Sequence, residues 1–89
     1  MNGYTIEFLP AADRDLRRLS VATQRRIVAA VEQLAGDSRP PGVVKLAGED
    51  NLWRIRVGQY RVLYEIHDRR LLVLVVRIGH RKDIYRKGK

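Results

Sequence analysis

The stretch Leu52–Arg86 reads LWRIRVGQYRVLYEIHDRRLLVLVVRIGHRKDIYR. Successive side chains of a strand point to opposite faces. Trp53, Ile55 and Val57 therefore share one face, with Arg54 and Arg56 on the other. Tyr60, Val62, Tyr64 and Ile66 likewise oppose Arg61, Leu63 and Glu65. Leu71–Ile78 is apolar on both sides for most of its length, the pattern of an interior strand. Gly58-Gln59 and His67-Asp68-Arg69-Arg70 are short enough to be hairpin connections. The spacing predicts three antiparallel neighbours: Leu52–Val57, Tyr60–Ile66 and Leu71–Ile78.

Upstream the period changes. Tyr4, Ile6 and Phe8 alternate with Thr5 and Glu7, a half-buried strand ended by Pro10. Ala12, Leu16 and Leu19 recur at three and four residues among charged ones, an amphipathic helix with Pro10 in its first turn. Ser20 is placed to cap a second helix, whose stripe is Ile27, Val28, Val31 and Leu34, with Gly36 at its end. Asp37–Gly42 is a loop, Val43–Leu46 is extended, and Gly48–Asn51 is a turn cluster. The order β-α-α-β-β-β predicts an α+β fold, an αα-hairpin packed on one face of an antiparallel sheet.

A chain of 89 residues is one domain, spanning residues 1–89, and it buries enough surface to stand alone with little to spare. Hydrophobic content of 45% is too high for disorder. There is no cysteine, so no disulfide framework and no thiolate metal site, which suits a reducing cytoplasm. The longest wholly apolar run, residues 71–76, is too short to span a bilayer. The N-terminal residues lack the pattern of a secretory signal.

Charge is divided unevenly. Residues 51–89 hold eleven Lys and Arg against three Asp and Glu, whereas residues 1–50 hold seven of each. The net +8 and an isoelectric point near 10.6 point to a polyanionic partner. These cations alternate with apolar residues, so the pattern fixes them on a rigid surface where they can polarise a phosphate. Arg54, Arg56 and Arg61 gather on the open face of the sheet, and the following strand end brings His80, Arg81 and Tyr85 towards the same patch. Trp53, Tyr60 and Tyr64 fall on the opposite side and read as core. Arg25 and Arg26 belong to a helix surface whose charges are balanced by acids, the alternative for this pair being a contact with ribosomal RNA.

The run W-R-I-R-V-x-x-Y-R-V-L-Y-E-I, followed by a hydrophobic strand and R-I-G-H-R-K-D-I-Y-R, resembles the RelE branch of the RelE/ParE toxin superfamily over nearly the whole chain. Lys45-Leu46-Ala47-Gly48 and the helix pair also fit. The resemblance implies a toxin of a type II toxin–antitoxin system. Such a toxin enters the ribosomal A site, cuts mRNA by metal-independent attack of the 2′-hydroxyl, and is silenced by a RelB-like antitoxin in a hetero-oligomer. It implies no cofactor, no membrane partner and a cytoplasmic location. ParE-type members share the fold but poison DNA gyrase without nuclease activity, which is the alternative function.

By position, the resemblance makes Arg61 the phosphate-stabilising arginine and Arg81 the donor of a proton to the leaving oxygen. It makes Tyr85 the residue that stacks on or orients the nucleotide. Arg54 and Arg56 stand where the best-studied RelE type has lysines, one of them a proposed general base. Arginine stays protonated at ordinary pH, so that assignment does not carry over to Arg56. His80 is then the candidate for proton transfer, since histidine titrates near neutrality. Otherwise ribosomal RNA and substrate geometry supply the rate. Lys45, Arg77, Lys82 and Arg86 complete the expected phosphate-binding set.

Overall fold

The structure is a computed structural model, and it describes residues 3–48 and 50–83. Its elements are β1 (Thr5–Phe8), α1 (Pro10–Arg17), α2 (Val21–Gln33), β2 (Val44–Lys45), β3 (Trp53–Val57), β4 (Tyr60–His67) and β5 (Leu72–His80). A single 3-10 turn, Asp68–Arg70, joins β4 to β5.

Local chemistry accounts for the helix ends. Pro10 sits in the first turn of α1, where its missing N–H costs nothing. Ser20 Oγ accepts the Thr23 N–H at 3.2 Å and so caps α2. The C-terminus of α2 differs from expectation. The helix stops at Gln33, and Leu34, Ala35 and Gly36 donate to carbonyls three residues back. That tightened turn satisfies the final carbonyls while Leu34 stays buried, so Gly36 needs no left-handed conformation.

The sheet order is β1-β5-β4-β3-β2. All neighbours from β5 to β2 are antiparallel, as the short connections require. β1 joins the far side parallel to β5, with Thr5 opposite Leu72 and Phe8 opposite Val75. The sheet is thus mixed, and β5 is interior where β1 covers it. The extended stretch around Val44 contributes a two-residue edge strand.

Both helices cover one face. Ala12 and Leu16 of α1, and Ile27, Val31 and Leu34 of the α2 region, close over Ile55, Val62, Tyr64, Ile66, Val73, Val75 and Ile78. Each fully buried Ile or Val here contributes roughly 1.5–3 kcal/mol. Trp53, Val57 and Tyr60 pack partly buried against this core, as their phase predicts. Tyr64 is fully buried, and its hydroxyl donates to the Ser38 carbonyl at 2.8 Å.

One irregularity decides the position of the site. Leu63 pairs with Arg77 but Tyr64 pairs with Val75, so Val76 is an extra residue in β5. The bulge reverses the phase of β5. Val73 and Val75 face the helices before it, and Ile78 faces them after it.

Candidate nucleic-acid interface

The face turned away from the helices carries a lattice fixed by register. Arg56, Arg61 and Gly79 form one row across β3, β4 and β5, and Arg54, Leu63 and Arg77 form the next. Gly79 has no side chain, so nothing of its own stands beside Arg61. One guanidinium nitrogen of Arg61, Nη1, donates to the Tyr60 carbonyl at 3.2 Å, which leans it along its own strand.

The same end of the sheet is closed by the two-residue loop Gly58-Gln59. Gly58 has φ +60°, which fits a hairpin turn that takes glycine at its first central position. The Gln59 carbonyl accepts the Arg81 N–H at 2.8 Å. That bond anchors exposed Arg81, in the turn after β5, beside the start of β4. Arg56, Arg61 and Arg81 therefore converge on one rim, although they are far apart in sequence. α2 adds a cation there. A Cβ built on Gly58 would lie 3.1 Å from Arg26 Nη2, so this guanidinium lies against the loop. Sequence periodicity places Arg26 on a helix surface open to RNA contact; the glycine at the turn is the one sequence signal that something packs closely there.

Several expected residues lie elsewhere. His80 pairs with Tyr60, on the helix side of the sheet, and their rings meet edge-on with centroids 5.7 Å apart. Its Nδ1 accepts the Lys82 N–H at 3.2 Å, so in the neutral ring the proton sits on Nε2. The bulge thus turns His80 away from the arginine row, with its Nδ1 engaged by the Lys82 N–H. Arg77 lies on the arginine face but is engaged by Asp15 of α1, with Nε to Oδ2 at 2.8 Å and Nη2 to Oδ1 at 3.1 Å. These bonds raise the Arg77 guanidinium above its ordinary value. Asp15 Oδ2 also accepts the Ile78 N–H at 3.0 Å, on the edge of β5 beyond the reach of β1. Lys45 pairs opposite Trp53 and holds its ammonium 5.7 Å from that ring, away from the arginine row. Lys82 is exposed in the turn beside Arg81. Tyr85 and Arg86 lie outside the described residues.

Like charges directly opposite on a sheet repel, at a cost of roughly 0.2–1 kcal/mol per pair. A phosphate placed between Arg56 and Arg61 converts that repulsion into charge-assisted, bidentate hydrogen bonding. A cleft of about 290 Å³ opens next to this rim, between the end of α1 and β5. Leu19, Tyr60, Ile78 and His80 give it apolar and aromatic walls of the kind a nucleobase fits. Among the described residues, no group of three or more His, Cys, Asp or Glu is placed to hold a metal ion. None of their helices is long and apolar enough to cross a membrane.

The comparisons bear on the family and the fold. The family model described as ParE toxin of type II toxin–antitoxin system, parDE, matches residues 6–85. Toxin RelG of Mycobacterium tuberculosis is 42% identical over 92 residues, covering 94% of this chain and 98% of RelG. The archaeal RelE–RelB complex from Pyrococcus horikoshii OT3 contains a chain that superposes with a TM-score of 0.78 at 25% identity, covering 88% of this chain and 94% of that one. The free E. coli toxin RelE, as an arginine-to-alanine double mutant, superposes with a TM-score of 0.81 over 99% of this chain and 93% of that one. At 19% identity, that likeness speaks for the fold alone.

Proposed function

This chain belongs to the RelE/ParE superfamily of toxins from type II toxin–antitoxin systems, and we propose that it acts as a ribosome-dependent endoribonuclease that cuts mRNA in the A site. The observation that carries the reading is the convergence of Arg56, Arg61 and Arg81 on one rim of the sheet. Strand cleavage by the 2′-hydroxyl builds extra negative charge on phosphorus and expels the 5′-oxygen. Arg61 stabilises the charge on the phosphorane, and Arg56 and Arg54 hold the flanking phosphates. Arg81 serves the leaving oxygen, and Tyr85 orients the nucleotide. A fixed donor aimed at developing charge is worth roughly 2.7–4 kcal/mol.

The 2′ proton passes to ribosomal RNA or solvent at the A site rather than to a residue of this chain. His80 faces the other side of the sheet. Glu65 and His67, paired at 2.8 Å, share the arginine face but lie further along β4 towards its other end. In-line alignment of nucleophile and leaving group supplies the larger share, on the order of 7–11 kcal/mol. A RelB-like antitoxin is the expected partner, since relatives of the same fold are seen in RelE–RelB complexes.

The test is to add the protein to a translation extract and map message ends, with gyrase supercoiling assayed in parallel. Cuts in register with codons are the expected result. Loss of supercoiling over intact message overturns the reading in favour of a gyrase poison.

A further inference from the structure

The connection Asp68–Leu71 lies at the end of the sheet opposite Arg61. Strand rise over the intervening residues of β4 separates them by roughly 20 Å, so no single phosphodiester reaches both. Leu71 has φ +49°, the only positive φ of a non-glycine among the described residues, and it is 50% exposed. Glycine would hold this conformation without strain. A bulky side chain in a strained, exposed place invites a functional reading.

The tip is rigid. The Leu71 N–H donates to the Asp68 carbonyl at 3.2 Å, and the Leu71 carbonyl accepts the Thr5 N–H at 2.7 Å. The Asp68 carboxylate is held by the Tyr4 hydroxyl and by both terminal nitrogens of Arg39, at 3.0 and 3.4 Å. The one acid of the connection is thereby engaged. Arg69 and Arg70 are exposed and have no acidic partner among the described residues.

We propose that this tip is a second RNA-docking element, which grips the backbone of double-helical RNA while the arginine rim holds the strand to be cut. The chemistry favours RNA over a protein. Two guanidinium forks match phosphate oxygens bidentately. A-form RNA presents a wide, shallow minor groove lined by ribose hydroxyls, where one leucine next to two phosphate-binding arginines fits. A protein interface would call for a larger apolar patch than a single side chain. The proposal deepens the ribosomal reading and rests on it for which RNA is gripped, but the binding itself is measurable without any cleavage.

The experiment measures binding of the full chain to an RNA duplex of about 16 base pairs by fluorescence anisotropy, across salt from about 50 to 200 mM. The Arg69→Ala/Arg70→Ala variant is expected to bind at least tenfold more weakly. Its slope of log affinity against log salt should shrink by roughly 1.8, two phosphates' worth. Leu71→Gly is expected to raise the melting temperature yet bind severalfold more weakly, a combination that a merely structural role does not produce. An unchanged slope in the double-arginine variant, or parental affinity in Leu71→Gly, overturns the proposal. So does polyglutamate binding that falls in the double variant while duplex binding stays. If the parent never cuts message but the duplex slope still falls, the nuclease reading fails and the docking tip stands.

Discussion

Arg56 of β3 and Arg61 of β4 stand directly opposite each other on the face of the sheet turned from the helices. Their repulsion makes this pairing unfavourable for folding and favourable for holding an anion. Arg61→Ala should therefore raise stability slightly, by roughly 0.2–1 kcal/mol, while cutting falls about 10²–10³-fold. Urea midpoints and mapped message ends, read on the same preparation, check both halves. An inactive variant that is also less stable than the parent would mean that the residue serves the fold.

Asp15 should matter far more than its exposed neighbour Asp13. Its side chain is only 12% exposed, and it accepts from Arg77 and from the Ile78 N–H. Asp15→Ala leaves a guanidinium and a sheet-edge N–H without that carboxylate, and should cost about 2–3 kcal/mol. Asp13 pairs with Arg17 one helical turn away, with side chains 45% and 76% exposed. Asp13→Ala should cost about 0.5 kcal/mol or less. Denaturant titration of the two variants gives the ranking directly, and equal losses would contradict it.

The elements that local chemistry dictates were legible in the sequence. Ser20 as a cap, Pro10 in the first helical turn and the alternation around Arg54, Arg56 and Arg61 all follow from spacing. Long-range pairing leaves no local mark. Nothing in Thr5–Phe8 says that it lies parallel to Leu72–Val75, and Asp15 and Arg77 are joined only because α1 runs past the edge that β1 leaves open. The extra residue at Val76 matters most for the site. Plain alternation cannot show it, yet it sends His80 to the Tyr60 side and Arg77 to the arginine side. Lys45 lacks such a mark for a similar reason, since a two-residue strand has no period to read.

The clasp that closes the other end of the sheet should give stability a shape in pH. The Arg39 guanidinium, then the Tyr4 hydroxyl, hold the Asp68 carboxyl below its ordinary 3.8. The unfolded chain takes up that proton first. The clasp's contribution is therefore complete above pH 3.8 and is lost as pH falls through and below it. Burial pushes the Tyr64 hydroxyl from 10.0 up to about 12. Its contribution is complete below pH 10 and is lost as pH climbs towards 12. Asp68→Asn should flatten the acid limb. Tyr64→Phe should flatten most of the alkaline limb and cost about 1 kcal/mol at neutral pH through the lost bond to Ser38. Melting temperatures across the pH range decide, and an unaltered alkaline limb in Tyr64→Phe would contradict the assignment.

Gly58 poses a choice between two causes of destabilisation. An alanine there meets Arg26 Nη2 at 3.1 Å and must also adopt φ +60°. The guanidinium is the far end of a flexible side chain and can swing away cheaply. The backbone cannot, so the conformational term should dominate, and Gly58→Ala should cost about 1 kcal/mol. Removing the obstacle with Arg26→Ala in the same chain should then recover little of that loss. RNA affinity separates the roles further. Arg26→Ala alone should leave the melting temperature nearly unchanged and reduce the salt slope by roughly one phosphate. If the double variant instead regained most of the stability lost by Gly58→Ala, packing against Arg26 rather than the turn would explain why glycine is needed there.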